Sequence, residues 1–173
     1  MQDIEKIREI VLSKLTGRLW HMTHPDRFRS ILVSGAIRPE PDLPEMERWA
    51  TAEGPSGFSY VRKLGGISVF DFEGFAPDKY DQRYPLSSWR EFVPYRDAWG
   101  CAVWIELNRV KIKNLFISGQ DLVARWKREG AYKHRLMPII EAAYVGELSK
   151  DAFDDAFLVK ADVGLVSNAL IGI

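Results

Sequence analysis

The 173-residue chain has little of several features that would point to a class of function. It contains one cysteine, Cys101, which excludes a disulfide within the chain and a zinc site built from thiolates. Its 24 basic and 24 acidic residues cancel, which argues against a surface that binds nucleic acid over its whole extent but leaves room for a local basic cleft. No apolar run approaches the roughly 18 residues that cross a membrane, and the charged N-terminus shows no signal-peptide pattern. We therefore expect a cytoplasmic protein with no membrane partner.

The motifs of common catalytic sites are also missing. The three histidines, His21, His24 and His134, do not have the spacing of metal ligands. There is no G-x-S-x-G elbow, and Cys101 stands in a strand-like run where a thiol has no obvious base. The glycines at 54 and 57 lack the lysine of a phosphate-binding loop. The sequence thus predicts no metal site, no nucleophilic triad and no nucleotide loop of this type.

One stretch with a clear local structure is residues 19–35, LWHMTHPDRFRSILVSG. It predicts a short strand that carries His21, followed by a helix that starts at Pro25, with Thr23 or His24 as the cap, and ends at Gly35. A strand that ends in a histidine turn is typical of a place that holds a ligand. The alternative is a half-buried histidine beside Trp20 with no function.

The remaining pattern predicts an α+β fold in a single domain that spans residues 1–173. Helices are expected over 2–16 and 118–129, and strands over 66–72, 101–107, 111–117, 138–145 and 156–160. Two long irregular segments, 36–66 and 73–98, separate them. Strands do not alternate strictly with helices, so a mostly antiparallel sheet with N-terminal and middle helices fits better than a doubly wound parallel sheet.

Glu141 is the residue that fits its surroundings least, because it interrupts the otherwise apolar stretch 138–145. A buried, unpaired carboxylate costs several kcal/mol, so this side chain should face solvent, a partner or a cleft. A place on the wet face of an edge strand is one explanation. The other is a rigidly held carboxylate that stabilises a developing positive charge or binds a sugar hydroxyl. Ser68, in the middle strand, is a weaker candidate because serine is common in strands.

The order of these blocks resembles that of ADP-ribosyltransferase-fold proteins, and most closely that of the DarT-type enzymes. Residues 19–35 are similar to the opening of that family, a hydrophobic-His-x-Thr-His stretch followed by a helix that ends in Ser-Gly. Residues 137–148, MPIIEAAYVGEL, are similar to its catalytic-glutamate strand, and residues 67–72 stand where its second core strand would be. The three blocks cover about forty residues.

The resemblance implies a split antiparallel β-sandwich with a cleft for NAD, which would be a co-substrate. The implied activity is transfer of ADP-ribose from NAD to a macromolecular acceptor by a mono-ADP-ribosyltransferase of toxin or defence type. His21 would hydrogen-bond the nicotinamide ribose, Ser68 would lie near it, and Glu141 would bind the ribose 2′-hydroxyl and stabilise the oxocarbenium-like transition state. An antitoxin or immunity protein is the partner that such an enzyme would have.

Further contacts follow from the same resemblance. The backbone at Met22 and Thr23 would hold the carboxamide, and either Tyr60 or Phe70 would stack on nicotinamide. The resemblance does not identify which arginine would contact the pyrophosphate of NAD. Its candidates are Arg27, Arg29, Arg38, Arg62 and Arg135.

Other functions remain open at this point. A binding module could hold a nucleotide or a peptide in the same cleft without chemistry, and the aromatic and arginine content of residues 73–98 favours it. An RNA 2′-phosphotransferase on the same fold relies on arginines around its histidine and does not need the late glutamate. The acceptor is also open between protein and nucleic acid, including a single strand held by Arg83, Arg90 and Arg96 with Trp89 stacking on a base.

The resemblance makes one geometric prediction. His21 and Glu141 should lie on neighbouring central strands and face one pocket. Side chains on opposite faces of the sheet would contradict the interpretation of these two residues as the walls of one NAD cleft.

Overall fold

The centre of the protein is an antiparallel sheet of seven strands in the order β5-β6-β3-β1-β4-β8-β9. A computed structural model describes residues 4–49 and 54–166. The α+β class and the antiparallel sheet predicted from the sequence are confirmed. The strands of the large sheet are β1 (Leu19–Thr23), β3 (Ile67–Asp71), β4 (Cys101–Leu107), β5 (Phe116–Ile117), β6 (Glu141–Tyr144), β8 (Phe153–Lys160) and β9 (Gly164–Val166). A separate pair is formed by β2 (Ala36–Ile37) and β7 (Leu148–Ser149).

Six α-helices accompany the sheets within the described residues. They are α1 (Ile4–Leu15), α2 (Pro25–Ser34), α3 (Tyr60–Lys63), α4 (Pro77–Arg83), α5 (Arg109–Ile112) and α6 (Gly119–Arg128). The start and end of α2 follow from its sequence. His24 is the cap that accepts from the Asp26 N–H, and Gly35 ends the helix with a left-handed φ of 82°. Ser118 caps α6 in the same way, since its hydroxyl accepts from the Asp121 N–H.

The two faces of the sheet carry separate hydrophobic clusters. We call them the Trp20 face, with Trp20, Phe70, Trp104 and Phe157, and the Leu19 face, with Leu19, Val69, Ile105 and Ala156. Helix α1 packs its apolar side into the cluster of the Trp20 face, and α2 packs Phe28 into that of the Leu19 face. Because side chains alternate along a strand, each residue of β1 belongs to one face or the other.

Several predicted boundaries are wrong. The strand predicted over 138–145 begins at Glu141, because residues 138–140 form a tight turn. The segment predicted as a strand over 111–117 instead contains the end of α5, and only Phe116–Ile117 pairs with β6. Apolar side chains in short segments do not distinguish a buried strand from a helical turn or another tight turn, which explains both errors.

No helix in residues 4–49 and 54–166 is long and apolar enough to span a membrane.

Candidate active site

The large sheet opens between β1 and β3. These two strands pair only at Leu19 with Asp71 and at Trp20 with Phe70. Beyond these pairs, β1 stays hydrogen-bonded to β4 as far as Thr23. Likewise, β3 stays hydrogen-bonded to β6 as far as Ile67. Beyond the Trp20–Phe70 pair, the two central strands therefore separate while each remains anchored in its own half of the sheet.

A cavity of about 490 Å³ lies at this opening. Because the sheet is open here, the cavity is bordered by side chains of both faces, including the consecutive residues His21 and Met22. Other parts of its wall come from α2, the segment 36–49, α3 and the segment 92–99. Its lining residues near the opening are His21, Met22, Thr23, Gly66, Ile67, Ser68, Phe70 and Met137.

Glu141 is buried directly behind this wall, with 1% of its surface exposed. The Ser68 hydroxyl donates to its Oε1, and the Met137 N–H donates to its Oε2 at 2.8 Å. Both donors belong to residues that line the cavity. Burial raises the pKa of the Glu141 carboxyl from 4.5 to about 7, and the two hydrogen bonds oppose this rise because they favour the ionised form.

His21 bridges the opening of the sheet. Its Nδ1 lies 3.0 Å from the Ser68 carbonyl oxygen across the gap. A carbonyl oxygen only accepts, so Nδ1 carries the proton and Nε2 is left as an acceptor on a ring that lines the cavity. Burial lowers the pKa of His21, and the hydrogen bond to the Ser68 carbonyl opposes this only in part. The imidazole is therefore neutral at pH 7.

The geometric prediction for His21 and Glu141 is wrong in two respects. Strand β3 lies between β1 and β6, so the two residues are not on neighbouring strands. The pairs Trp20–Phe70 and Phe70–Glu141 put Glu141 on the Trp20 face, whereas His21, next to Trp20 in β1, projects from the Leu19 face. Ser68 connects them instead, because its carbonyl meets His21 and its hydroxyl meets Glu141.

The other predicted site residues divide into two groups. Met22, Thr23, Ser68 and Phe70 line the cavity with His21. Tyr60 does not, because its buried ring packs in a separate cluster and its hydroxyl donates to Glu129 at 2.7 Å. Of the two aromatic residues proposed to stack on nicotinamide, only Phe70 borders the cavity.

Five arginines line the cavity: Arg27, Arg38, Arg48, Arg62 and Arg96. Three of them were candidates for the pyrophosphate contact, whereas Arg29 and Arg135 lie outside the wall. Sequence reasoning missed Arg48 and Arg96 for this role. Both lie in irregular segments, where no periodicity shows which way a side chain points.

Acidic residues of the segment 36–49 already pair with three of the cavity arginines. Glu47 contacts Arg27 at 2.9 Å, Glu45 contacts Arg62 at 2.7 Å, and Glu40 contacts Arg48. A fourth, Arg38, lies 3.6 Å from Glu147. Arg96 is different, since no ion pair joins it to any residue in the described ranges. Its guanidinium instead lies 4.9 Å from the centre of the Trp99 ring.

The proposed stacking of a nucleic-acid base on Trp89 does not fit the structure. Trp89 is fully buried, and its indole N–H donates to Asp81 at 2.7 Å. A ring inside the core presents no face to a base. The aromatic residues of 73–98 contribute largely to the core, with Tyr80, Phe92 and Tyr95 also buried.

Among the described residues, no three histidine, cysteine, aspartate or glutamate side chains come close enough together to hold a metal ion. Comparison of the chain with protein-family models, with curated proteins and with solved structures finds no match. The site must therefore be interpreted from its own chemistry.

Proposed function

We propose that this protein is an NAD-dependent mono-ADP-ribosyltransferase that transfers ADP-ribose to a macromolecular acceptor. The observation that carries the proposal is the opening between β1 and β3, where His21 and Ser68 border a cavity and Glu141 is hydrogen-bonded directly behind Ser68. This arrangement supplies neutral hydrogen-bonding groups at the wall and a carboxylate just beyond them. Those are the groups that a ribose carrying a developing positive charge requires.

The chemistry is a substitution at the anomeric carbon of the nicotinamide ribose. The bond from C1′ to nicotinamide breaks, and its electron pair leaves with nicotinamide. An acceptor oxygen or nitrogen forms the new bond to C1′ and loses a proton. Positive charge builds on the ribose as the first bond lengthens, so a fixed negative charge nearby lowers the barrier.

Each residue has a role that follows from its contacts. His21 offers Nε2 as an acceptor for a ribose hydroxyl. The Ser68 hydroxyl donates to Glu141 and keeps its lone pairs for a second ribose hydroxyl. In the observed conformation, the ionised form of Glu141, which predominates above a pH of about 7, therefore acts on the ribose through Ser68, from a buried position where water screens its charge little.

Phe70 and Arg96 complete the proposed ligand contacts. Phe70 borders the same opening with 4% of its surface exposed, so it offers the nicotinamide ring a small apolar contact rather than a stacking face. Arg96 is available to the diphosphate, because it has no carboxylate partner among the described residues and lies on the cavity wall. Charge-assisted contacts of this kind are about twice as strong as neutral hydrogen bonds.

The five cavity arginines favour one second candidate, an RNA 2′-phosphotransferase. A phosphorylated ribose would find several guanidinium groups around His21. Glu141 favours the transferase over this candidate, because a buried carboxylate beside the site would repel a phosphate rather than assist its transfer.

Product analysis with NAD tests the proposal. The purified chain should release nicotinamide from NAD, and the Arg96→Ala variant should bind NAD about tenfold more weakly, which corresponds to the loss of about one charged hydrogen bond. Arg29→Ala is the matched control, because Arg29 is an exposed arginine outside the cavity and its loss should leave NAD binding unchanged.

Each other outcome points to a different function. Recovery of intact NAD after binding would contradict the transferase and support a binding module. Removal of phosphate from a 2′-phosphorylated RNA, with nicotinamide release only when that RNA is present, would support the phosphotransferase. No NAD binding by calorimetry would contradict the transferase.

A further inference from the structure

The turn that leads into Glu141 is strained. Ile139 has a φ of 70°, and it is the one residue other than glycine with a positive φ in the described parts of the chain. The Ile140 N–H donates to the Pro138 carbonyl at 2.8 Å, which closes a three-residue turn around Ile139. A γ-turn of this positive-φ type is rare, and a β-branched residue fits it poorly.

This turn is bonded to the Glu141 side chain as well as to its backbone. The Glu141 N–H donates to the Met137 carbonyl at 3.0 Å. The Met137 N–H donates in return to the Glu141 carboxylate at 2.8 Å. The position of the carboxylate is therefore determined by the same five residues that contain the strain.

Two residues outside the turn hold it in place. Gly119, at the start of α6, lies so close that an added Cβ would stand 1.7 Å from the Ile139 carbonyl oxygen and 3.1 Å from that of Glu141. The hydroxyl of Tyr80, in α4, donates to the Pro138 carbonyl at 2.7 Å. A strained conformation persists only where its surroundings fix it, and these contacts do so from two different helices.

We propose that Gly119 and Tyr80 are positioning residues that hold the strained 137–141 turn, and through it aim the Glu141 carboxylate at Ser68. A tight turn without strain would need glycine or asparagine at position 139. Ile139 instead packs against the core cluster of the Trp20 face, so the turn and the core are locked together. The expected loss of kcat rests on the proposed function. The position of the Glu141 carboxylate does not, because the Glu141 pKa reports it in the absence of any activity.

The first test is Gly119→Ala, which pushes a methyl group against the turn. We expect the Glu141 pKa, measured by NMR on protein labelled with ¹³C at the glutamate carboxyl, to fall from about 7 to below about 6. Burial is the largest influence on this pKa, so water that reaches the displaced carboxylate lowers it more than the loss of the Ser68 and Met137 hydrogen bonds raises it. We expect kcat for nicotinamide release to fall at least tenfold, with KM for NAD within about twofold, because the effect is on the charged transition state rather than on NAD binding.

The matched control is Ala124→Gly, at an exposed position of the same helix. It should lower the melting temperature through the weaker helix propensity of glycine while leaving the Glu141 pKa and kcat unchanged. Equal effects of the two variants on pKa and kcat would overturn the inference, because general destabilisation of α6 would then explain both.

Tyr80→Phe is the second variant, and it tests the inference even if Gly119→Ala does not fold. It removes one hydrogen bond without adding an atom, and we expect the same direction of change in the Glu141 pKa and a two- to fivefold loss of kcat. A folded Gly119→Ala protein, or failing that Tyr80→Phe, with the wild-type Glu141 pKa would overturn the inference. Absence of nicotinamide release from the wild type would contradict the proposed function, while the pKa comparison would still test the positioning.

Discussion

Replacement of Glu141 by glutamine should slow nicotinamide release from NAD by about a hundredfold or more, which is the usual effect of losing one preorganised electrostatic group. Glutamine has nearly the same size, so the cavity wall behind Ser68 is retained. It removes the negative charge that stabilises the ribose in the transition state. It also turns an NH₂ group toward one of the two donors, Ser68 or Met137, which now contact the carboxylate. The measurement is single-turnover release of nicotinamide, which separates chemistry from product release.

Two variants serve as controls for this result. Glu73→Gln removes an exposed carboxylate outside the cavity and should change release less than twofold. Ser68→Ala keeps the Glu141 charge but removes the hydroxyl between it and the cavity, and it should cause a smaller loss of roughly tenfold. A folded Glu141→Gln protein with release within threefold of wild type would remove Glu141 from the mechanism.

The same substitution should also change the pH dependence of stability. The difference in free energy of unfolding between the variant and the wild type should change by roughly 3 kcal/mol between pH 4.5 and pH 8. In the folded protein the Glu141 carboxyl has a pKa of about 7, raised from 4.5 by burial. Between these two values the unfolded chain has lost the proton and the folded protein keeps it. The free energy of unfolding of the wild type therefore falls as the pH rises. The contribution is fully present below pH 4.5 and is lost above about pH 7.

Glutamine does not ionise, so the variant should lack this fall. The free energy of unfolding of Glu141→Gln minus that of the wild type should therefore be more positive at pH 8 than at pH 4.5. Urea unfolding of both proteins at each pH measures this difference. Burial lowers the pKa of His21, which changes stability with pH in the opposite sense, but His21 is present in both proteins and its contribution cancels in the difference. An equal difference in stability at both pH values would show that the Glu141 pKa is not raised.

The local structures predicted from the sequence were those that a few neighbouring residues determine. Helix α2 begins at Pro25 and ends at Gly35, because a proline at the first turn and a left-handed glycine leave few alternatives. The unusual position of Glu141 in an apolar segment also singled it out, since a buried carboxylate requires partners and Ser68 and Met137 supply them.

The relations between distant elements could not be predicted in this way. Side chains alternate along a strand, so the sequence shows that His21 and Trp20 point in opposite directions. It does not show which strand lies beside β1. Strand β3 enters between β1 and β6, and that insertion makes Ser68 the link between His21 and Glu141. From the sequence, Arg96 was predicted only to hold a single nucleic-acid strand and not to meet the pyrophosphate, because nothing in an irregular segment distinguishes a side chain that lines a cavity from one that packs in the core.

The most direct test of the account is a crystal structure of the complex with NAD. We predict that the nicotinamide ribose lies in the opening between β1 and β3, with a hydroxyl within hydrogen-bonding distance of His21 Nε2 or Ser68 Oγ and with Phe70 beside the nicotinamide ring. Binding of NAD elsewhere, or with its ribose away from His21 and Ser68, would contradict the account.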